Sequence, residues 1–264
     1  MRLVLTDLLL VQTFKHYVIP TTKLSFHGTG KQEAQQSNTD GSITTSVSAN
    51  TTAGFSIVTY SGSSADPKNM GHGLSQAPEL IITKQRTNSF AWKVGSDEMT
   101  NWQYIMELDG SGAQSHAAGV YNGQAPTSSV WYASTEGGTG AASCTYVAYC
   151  FHSVDGYSKI GSYTGNGNAD GTFIYTGFRP AYVMTKDITG TGNWTIIDNK
   201  RNTSNVASPG RLYADLTNTE SPGATFDLVS NGFKCRENGG PNVNNVKFLY
   251  LAFAESPFKT ANAR

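Results

Sequence analysis

Two carboxylates stand two residues apart within residues 106–110, at Glu107 and Asp109. On a β-strand these side chains would point to the same face, as does the acid pair of a retaining glycosidase. Strand-borne acid pairs of β-glucanases include a third carboxylate two residues further on, and position 111 is Ser instead. We therefore interpret the pair as a strand end that runs into a turn, and we predict that the chain is not an enzyme.

Oxygen-bearing side chains alternate at Asn166, Asn168 and Asp170, and Gly171 follows them. This order matches the first half of a calcium-binding loop. The bidentate Glu that closes such a loop would stand at position 177, which is Gly. We predict a plain Asn/Gly turn, with a shallow Ca²⁺ site as the alternative and with no other metal or cofactor.

Three aromatic residues, Trp102, Trp131 and Tyr132, stand close to Asn and Ser residues in the sequence. Exposed rings beside polar groups are a common way to bind sugar, because the apolar face of a pyranose stacks on a flat ring. Such rings are more often part of a core or of a subunit interface. We favour the core or interface, and we keep glycan contact as the alternative.

The remaining reactive side chains form no recognisable catalytic or zinc-binding motif. The five histidines are scattered, and an odd number of cysteines gives no disulfide framework. We interpret Cys144, Cys150 and Cys235 as small buried hydrophobic residues. Asp198 and Arg201 lie three residues apart, and we predict a structural ion pair rather than a ligand contact.

The composition of the 264-residue chain predicts a folded protein with few charges. Charged residues make up 14% of the chain, while 12 Phe, 13 Tyr and 4 Trp can fill a core. The formal net charge is zero and no basic block occurs, so we predict no binding to nucleic acid and none to an anionic membrane. No apolar stretch of membrane-spanning length occurs, and Asp7 interrupts the apolar N-terminus, which disfavours a signal peptide.

The elements that would position these residues are short strands. Residues 1–27 are predicted to form one or two strands, and the Gly-, Gln- and Ser-rich residues 28–53 a linker or an extended arm. From Gly54 onward, strand patterns recur about every ten residues between Gly, Asn or Pro. The sequence therefore predicts an all-β fold of the β-sandwich or jelly-roll type, with few helices.

An internal repeat organises this β region. Four landmarks recur at one separation of 102 residues, namely Pro78 with Pro180, Lys84 with Lys186, Trp92 with Trp194, and Phe151 with Phe253. Such self-similarity predicts two tandem, jelly-roll-like β-sandwich domains related by duplication, at residues 54–160 and 161–264, after an N-terminal region of residues 1–53. In each copy the proline would begin a covered strand, and the last aromatic strand would lie at a sheet centre.

The motifs resemble those of an uncharacterised repeat domain that is common in structural, tail-fibre-like proteins of marine tailed phages. That domain is often associated with concanavalin-A-like or laminin-G-like domains. The resemblance covers about residues 38–264, and it assigns no catalytic residue. The segments that carry it include GFSIVTYSG (54–62), GHGL (71–74), YVAYCFHSVDGYSK (146–159), GSYTGNG (161–167), TGFRPA (176–181), LVSNGFK (228–234) and AFAESPF (252–258).

The resemblance implies a structural protein on the exterior of a virion, of the tail-fibre or adhesin type. Phage fibres are usually trimers, so we expect a homotrimer that also contacts other virion proteins. A host-surface glycan is a further candidate partner. The alternatives are a capsid decoration protein (a head fibre or cement protein) and a carbohydrate-binding, lectin-like module. The shared landmarks would form the scaffold, so a binding function is expected where the copies differ, around residues 96–143 and 199–225.

Overall fold

The computed structural model describes residues 34–201, 210–221 and 225–256. The strands predicted within residues 1–27 lie outside the described residues. The described residues form two compact units, which we call the first unit (residues 34–110 and 114–152) and the second unit (Ser111–Ala113 and the residues from Ser153 onward). Within these ranges the chain is β-structure and irregular loops, with a single 3₁₀ turn at Gly240–Asn242, so the predicted all-β class is confirmed.

The described part of the first unit contains ten strands in two sheets. Eight form one sheet in the order β1-β2-β3-β10-β5-β6-β7-β8, and the smaller sheet pairs β4 with β9. The strands are β1 Gln36–Asn38, β2 Thr45–Asn50, β3 Phe55–Ser61, β4 Lys68–Gly71, β5 Leu80–Gln85, β6 Lys93–Ser96, β7 Tyr104–Glu107, β8 Ser115–His116, β9 Val130–Ala133 and β10 Thr145–Phe151.

The described part of the second unit contains eight strands. A five-stranded sheet has the order β11-β18-β13-β14-β15, and a three-stranded sheet has the order β12-β17-β16. The strands are β11 Ser158–Thr164, β12 Phe173–Tyr175, β13 Pro180–Asp187, β14 Thr195–Asp198, β15 Leu212–Tyr213, β16 Phe226–Val229, β17 Gly232–Cys235 and β18 Lys247–Ala254. No helix within the described ranges is long and apolar enough to cross a membrane.

In each unit the core consists of side chains from a large and a small sheet. Alternate residues of β10, among them Tyr146 and Cys150, are fully buried together with Trp131 of β9. In the second unit Tyr250 of β18 joins Phe233 of β17 in the same way. Because successive strand residues point to opposite faces, each sheet buries one face in this core.

Several strand predictions are confirmed. Every residue of β5 and β13 is buried, as expected for strands covered on both faces. Pro180 opens β13, whereas Pro78 stands two residues before β5. The aromatic strands β10 and β18 lie between two neighbours in their sheets, as predicted.

The predicted boundaries need correction. Residues 45–50 were expected in a linker or arm, but they form β2, which pairs with β3 over Ser46–Asn50. The Ser and Thr residues of this segment suggested a linker, yet Val47 enters the core from the same segment. The predicted boundary between residues 160 and 161 cuts β11, because that strand begins at Ser158 and pairs with β18.

The two units repeat one arrangement of strands and rings. The order β3-β10-β5-β6 of the first unit recurs as β11-β18-β13-β14 in the second. Tyr60 stacks on Tyr146 with ring centroids 5.1 Å apart, and Tyr163 stacks on Phe248 at 5.2 Å. The hydroxyls of Tyr60 and Tyr163 each donate a 2.6 Å hydrogen bond to a backbone carbonyl, of Thr139 and Pro241 respectively. The matching residues are separated by 102 or 103 positions in the chain, close to the separation of the four sequence landmarks.

Candidate functional site

Glu107 and Asp109 have structural contacts rather than a shared catalytic geometry. β7 ends at Glu107, whose Oε1 accepts a 2.5 Å ion-paired hydrogen bond from Lys93. The carboxylate of Asp109 accepts the backbone N–H of Trp92 at 3.0 Å. The matching pair in the second unit is Asp215 and Trp194, also at 3.0 Å. The favoured interpretation, a strand end that runs into a turn, describes this segment.

The residues of the candidate calcium loop form a chain of turn hydrogen bonds. Asn166 Oδ1 accepts the backbone N–H of Asn168 at 3.0 Å, and Asn168 Oδ1 accepts that of Asp170 at 2.9 Å. Asn242 Nδ2 also donates to Asn166 Oδ1, at 2.9 Å. Lys234 Nζ lies 2.5 Å from Asp170 Oδ1, and this hydrogen bond lowers the pKa of the carboxyl. The geometry is that of the plain Asn/Gly turn.

The described residues contain no group of three or more His, Cys, Asp or Glu side chains that could hold a metal ion. Within the same ranges the three cysteines are unpaired. Cys150 and Cys235 are buried, as predicted, and Cys144 is half-buried. Burial raises the pKa of both buried thiols to about 12, so each is inert near neutral pH.

Two of the three aromatic residues considered for glycan contact lie in the core. Trp102 donates its indole N–H to Asp97 at 2.6 Å, and burial raises the pKa of that carboxyl. Trp131 is fully buried and meets Tyr60 edge-on. Sugar stacking needs an open ring face, so the alternative of glycan contact is wrong for both tryptophans. Tyr132 points the other way from β9 and is half-buried, because neighbouring strand residues face opposite sides.

Asp198 and Arg201 form the predicted structural ion pair, with Nε 2.6 Å from Oδ2. Arg201 also donates to the Gly210 carbonyl at 3.1 Å and to Glu220 at 3.2 Å. The guanidinium therefore connects three points of the second unit. The predicted ion pair is therefore confirmed.

The Lys of each repeat landmark is buried. Lys186 Nζ donates to three backbone carbonyls of the second unit: Ser111 at 3.3 Å, Gly112 at 2.8 Å and Asp187 at 2.7 Å. Burial lowers the pKa of Lys186 to about 8. Lys84 of the first unit donates to the Phe90 carbonyl and lies 5.9 Å from the centre of the Trp92 ring. Each ammonium group therefore links its strand to a loop by hydrogen bonds to backbone carbonyls.

An exposed aromatic surface lies on the smaller sheet of the second unit. β12 is an edge strand that pairs with β17 alone, and its Ile174 enters the core. Phe173 and Tyr175 point to the opposite face, where they are 46% and 65% exposed. We call this surface, formed by Phe173, Tyr175, Gly232 and Lys234, the aromatic face.

The aromatic face has a polar border of paired charges. Phe173 stands opposite Lys234, which stands opposite Asp227 of β16. Lys234 pairs with Asp170, and Arg236 pairs with Asp227 at 3.2 Å. Each cation therefore has its own carboxylate, and these four side chains sum to zero charge.

Gly232 is buried at the centre of this surface. It stands opposite Tyr175, and a Cβ at this position would overlap the backbone carbonyl of Ile174. The same Cβ would lie 3.2 Å from the ring of Phe173, which therefore leans over the glycine. A side chain at position 232 would disturb both the strand pairing and the ring.

The corresponding edge of the first unit is covered by its own chain. β4 pairs with β9 in the register that β12 has with β17, so Asn69 and Gly71 take the places of Phe173 and Tyr175. Asn69 accepts backbone N–H groups of Ser42 through its side chain at 2.5 Å and of Ile43 through its carbonyl at 3.1 Å. The Thr45 hydroxyl donates to the Gly71 carbonyl at 3.0 Å.

Sequence reasoning missed the aromatic face. All four of its residues lie outside residues 96–143 and 199–225, where a binding function was expected. The signal that could have found it is the run of large apolar residues Phe173–Tyr175 at a place where the first copy has Asn69 and Gly71. Large apolar residues in one copy only are unexpected for a shared scaffold.

A family model described as a domain of unknown function (DUF7483) matches residues 28–257, so the chain belongs to that family. The match includes the described residues of both units. No curated protein and no solved structure matches the chain.

Proposed function

We propose that this member of the DUF7483 family is a non-enzymatic structural protein on the exterior of a virion, of the tail-fibre or adhesin type. One observation carries the proposal: the candidate catalytic side chains among the described residues form hydrogen bonds and ion pairs that stabilise the β-sandwich units. Asp109 and Asp215 fix the strands that begin near Trp92 and Trp194, and Arg201 ties loops together. The resemblance to phage tail-fibre-like domains supports the same function.

We also propose that the two units derive from one duplicated β-sandwich domain. The shared strand order, the stacked pairs Tyr60–Tyr146 and Tyr163–Phe248, and the shared Trp–Asp contacts support this origin. Tandem modules of this kind suit a protein outside a cell, where packing rather than charge stabilises each module.

Localisation is the direct test of this function. Antibodies against the purified chain should label intact virus particles in immunogold electron microscopy. Labelling of the tail supports a fibre or adhesin, whereas even labelling of the head supports the alternative, a capsid decoration protein. Absence of the chain from purified particles, measured by mass spectrometry, would contradict both assignments.

Self-association is the second test. A fibre component is expected to be a homotrimer that also contacts other virion proteins. Size-exclusion chromatography with light scattering should give three times the 28.3 kDa chain mass. A monomer at all concentrations would argue against a fibre.

A further inference from the structure

The structure assigns a binding site for neutral saccharides to the aromatic face, with Phe173 and Tyr175 as the stacking rings. This inference names the ligand class of the proposed adhesin, and its biological meaning rests on that proposed function. Four features of the aromatic face support it: the two rings, the paired charges, the short strand edge and the contrast with the first unit.

The two rings lie on one face of the sheet, close enough to contact one ligand. Phe173 and Tyr175 are two residues apart on β12 and point to one face. Their Cα atoms are therefore separated by about 6.6 Å along the strand, so two linked sugar rings could contact both side chains. The apolar C–H face of a pyranose gains dispersion and hydrophobic contact on an open ring face.

The charge of the border favours an uncharged ligand. Lys234 and Arg236 are each paired with a carboxylate, Asp170 and Asp227. A polyanion such as single-stranded nucleic acid also stacks on aromatic rings, but it needs unpaired cations to neutralise phosphate. The paired groups retain N–H donors and carboxylate lone pairs that can bind sugar hydroxyls, since one ammonium alone has three N–H groups.

The strand edge disfavours a polypeptide as the occupant. β12 has three residues, so a strand added to its edge would gain few backbone hydrogen bonds. A stable protein interface also needs roughly 800 Å² from each partner, which two rings with a charged border do not provide. The rings project from the sheet face rather than from its edge, which suits a small ligand.

The equivalent edge strand of the first unit, β4, lacks exposed aromatic side chains. There the positions of Phe173 and Tyr175 hold Asn69 and Gly71, and residues 38–45 of the chain lie against them. The second unit has large apolar side chains at the same two positions, and 65% of Tyr175 is exposed. A scaffold gains nothing from exposing these rings to water.

The test is binding of the full chain to soluble neutral oligosaccharides of glucose, N-acetylglucosamine, mannose and galactose, measured by isothermal titration calorimetry. At least one sugar is expected to bind, and Tyr175→Ala should weaken that binding about tenfold or more. Tyr175→Phe keeps the ring and should retain most of the affinity. Phe90→Ala removes an exposed ring of the first unit, 42% exposed, and should leave the affinity unchanged.

Three outcomes would overturn the inference. The first is no binding of any of these sugars at millimolar concentration. The second is binding that Tyr175→Ala and Phe173→Ala leave intact while circular dichroism shows folded variants. The third is a change of oligomeric state in Tyr175→Ala without sugar binding, which would assign the aromatic face to contact between copies. Particles that contain a chain without sugar affinity would refute this site and leave the virion assignment standing.

Discussion

The first and second units share their core contacts and differ at the edge of their smaller sheet. Both stack a tyrosine of one strand on an aromatic ring of the central strand, and both anchor a Trp backbone N–H on an Asp. In the first unit the edge strand β4 is covered by residues 38–45, whereas β12 of the second unit exposes Phe173 and Tyr175. The recurring contacts form the scaffold, and the two edge-strand positions at which the units differ are candidates for function.

The largest effect is expected in the shared core. Trp131 and Phe233 occupy the same place in the two small sheets, and both are fully buried. Trp131→Ala and Phe233→Ala should each lower the free energy of unfolding by about 3–5 kcal/mol, because each leaves a large cavity. Urea denaturation followed by circular dichroism measures this loss. If either variant loses less than about 1 kcal/mol, the two positions are not equivalent core sites.

Lys186 should make stability depend on pH in the alkaline range. Its pKa is about 8 in the folded state, while an unfolded lysine titrates near 10.5. Between these values the unfolded state binds more protons, so stability rises with pH. Relative to Lys186→Met, the wild type should therefore gain up to about 3 kcal/mol from pH 8 to pH 10.5.

Chemical denaturation of both proteins across this range measures the gain. Burial raises the pKa of the core Tyr and Cys side chains, so in this pH range they titrate in the unfolded state alone; both proteins contain them, and their contribution cancels in the comparison. If the difference in unfolding free energy between the two proteins stays constant across this range, burial does not lower the pKa of Lys186.

His72 should make the first unit sensitive to acid. Its Nδ1 accepts the Leu74 N–H at 3.1 Å, so the neutral ring donates from Nε2 to the Thr127 carbonyl at 3.1 Å. Burial lowers the pKa of His72, so the unfolded state takes up the proton first as pH falls below 6.5. The second unit has Thr176 at this place, also bonded to the N–H two residues on.

The wild type should accordingly lose up to about 1.4 kcal/mol per pH unit below pH 6.5 through this group. His72→Thr copies the second unit and should reduce that slope. Guanidinium denaturation at pH 7 and pH 5 provides the measurement. Equal slopes for the two proteins would contradict a neutral, buried His72.

The smallest effects are expected at the edge where the units differ. Asn69→Ala removes the acceptor of the Ser42 N–H and should cost about 1 kcal/mol. Tyr175→Ala removes an exposed ring and should change stability by less than about 0.5 kcal/mol. Thermal unfolding of the two variants side by side measures the contrast. A cost above 1 kcal/mol for Tyr175→Ala would mean that the ring belongs to the scaffold.

The features that the sequence predicted well are those that repeat or run continuously. The fully covered strands β5 and β13 appear as unbroken apolar triplets next to a proline, and the central strands as aromatic runs. The ion pair of Asp198 and Arg201 followed from their short separation.

Other features depend on contacts that one sequence does not reveal. β2 is rich in Ser and Thr, and it becomes a strand because β3 offers it a partner. In β9 the alternation allows either Trp131 or Tyr132 to face the core, and packing against the opposing large sheet selects Trp131. β12 has only three residues and all three are large and apolar, so the sequence does not tell which of them are exposed.

The position of β10 and β18 has a consequence for biosynthesis. In each unit the last described strand is the one that joins the halves of the large sheet, since β10 lies between β3 and β5, and β18 between β11 and β13. Phe55 can therefore pair with Phe151 on the neighbouring strand only after nearly the whole unit has left the ribosome. Such long-range pairing slows folding and leaves strand edges open during translation. Each unit is thus expected to fold as a whole, near the end of its own synthesis.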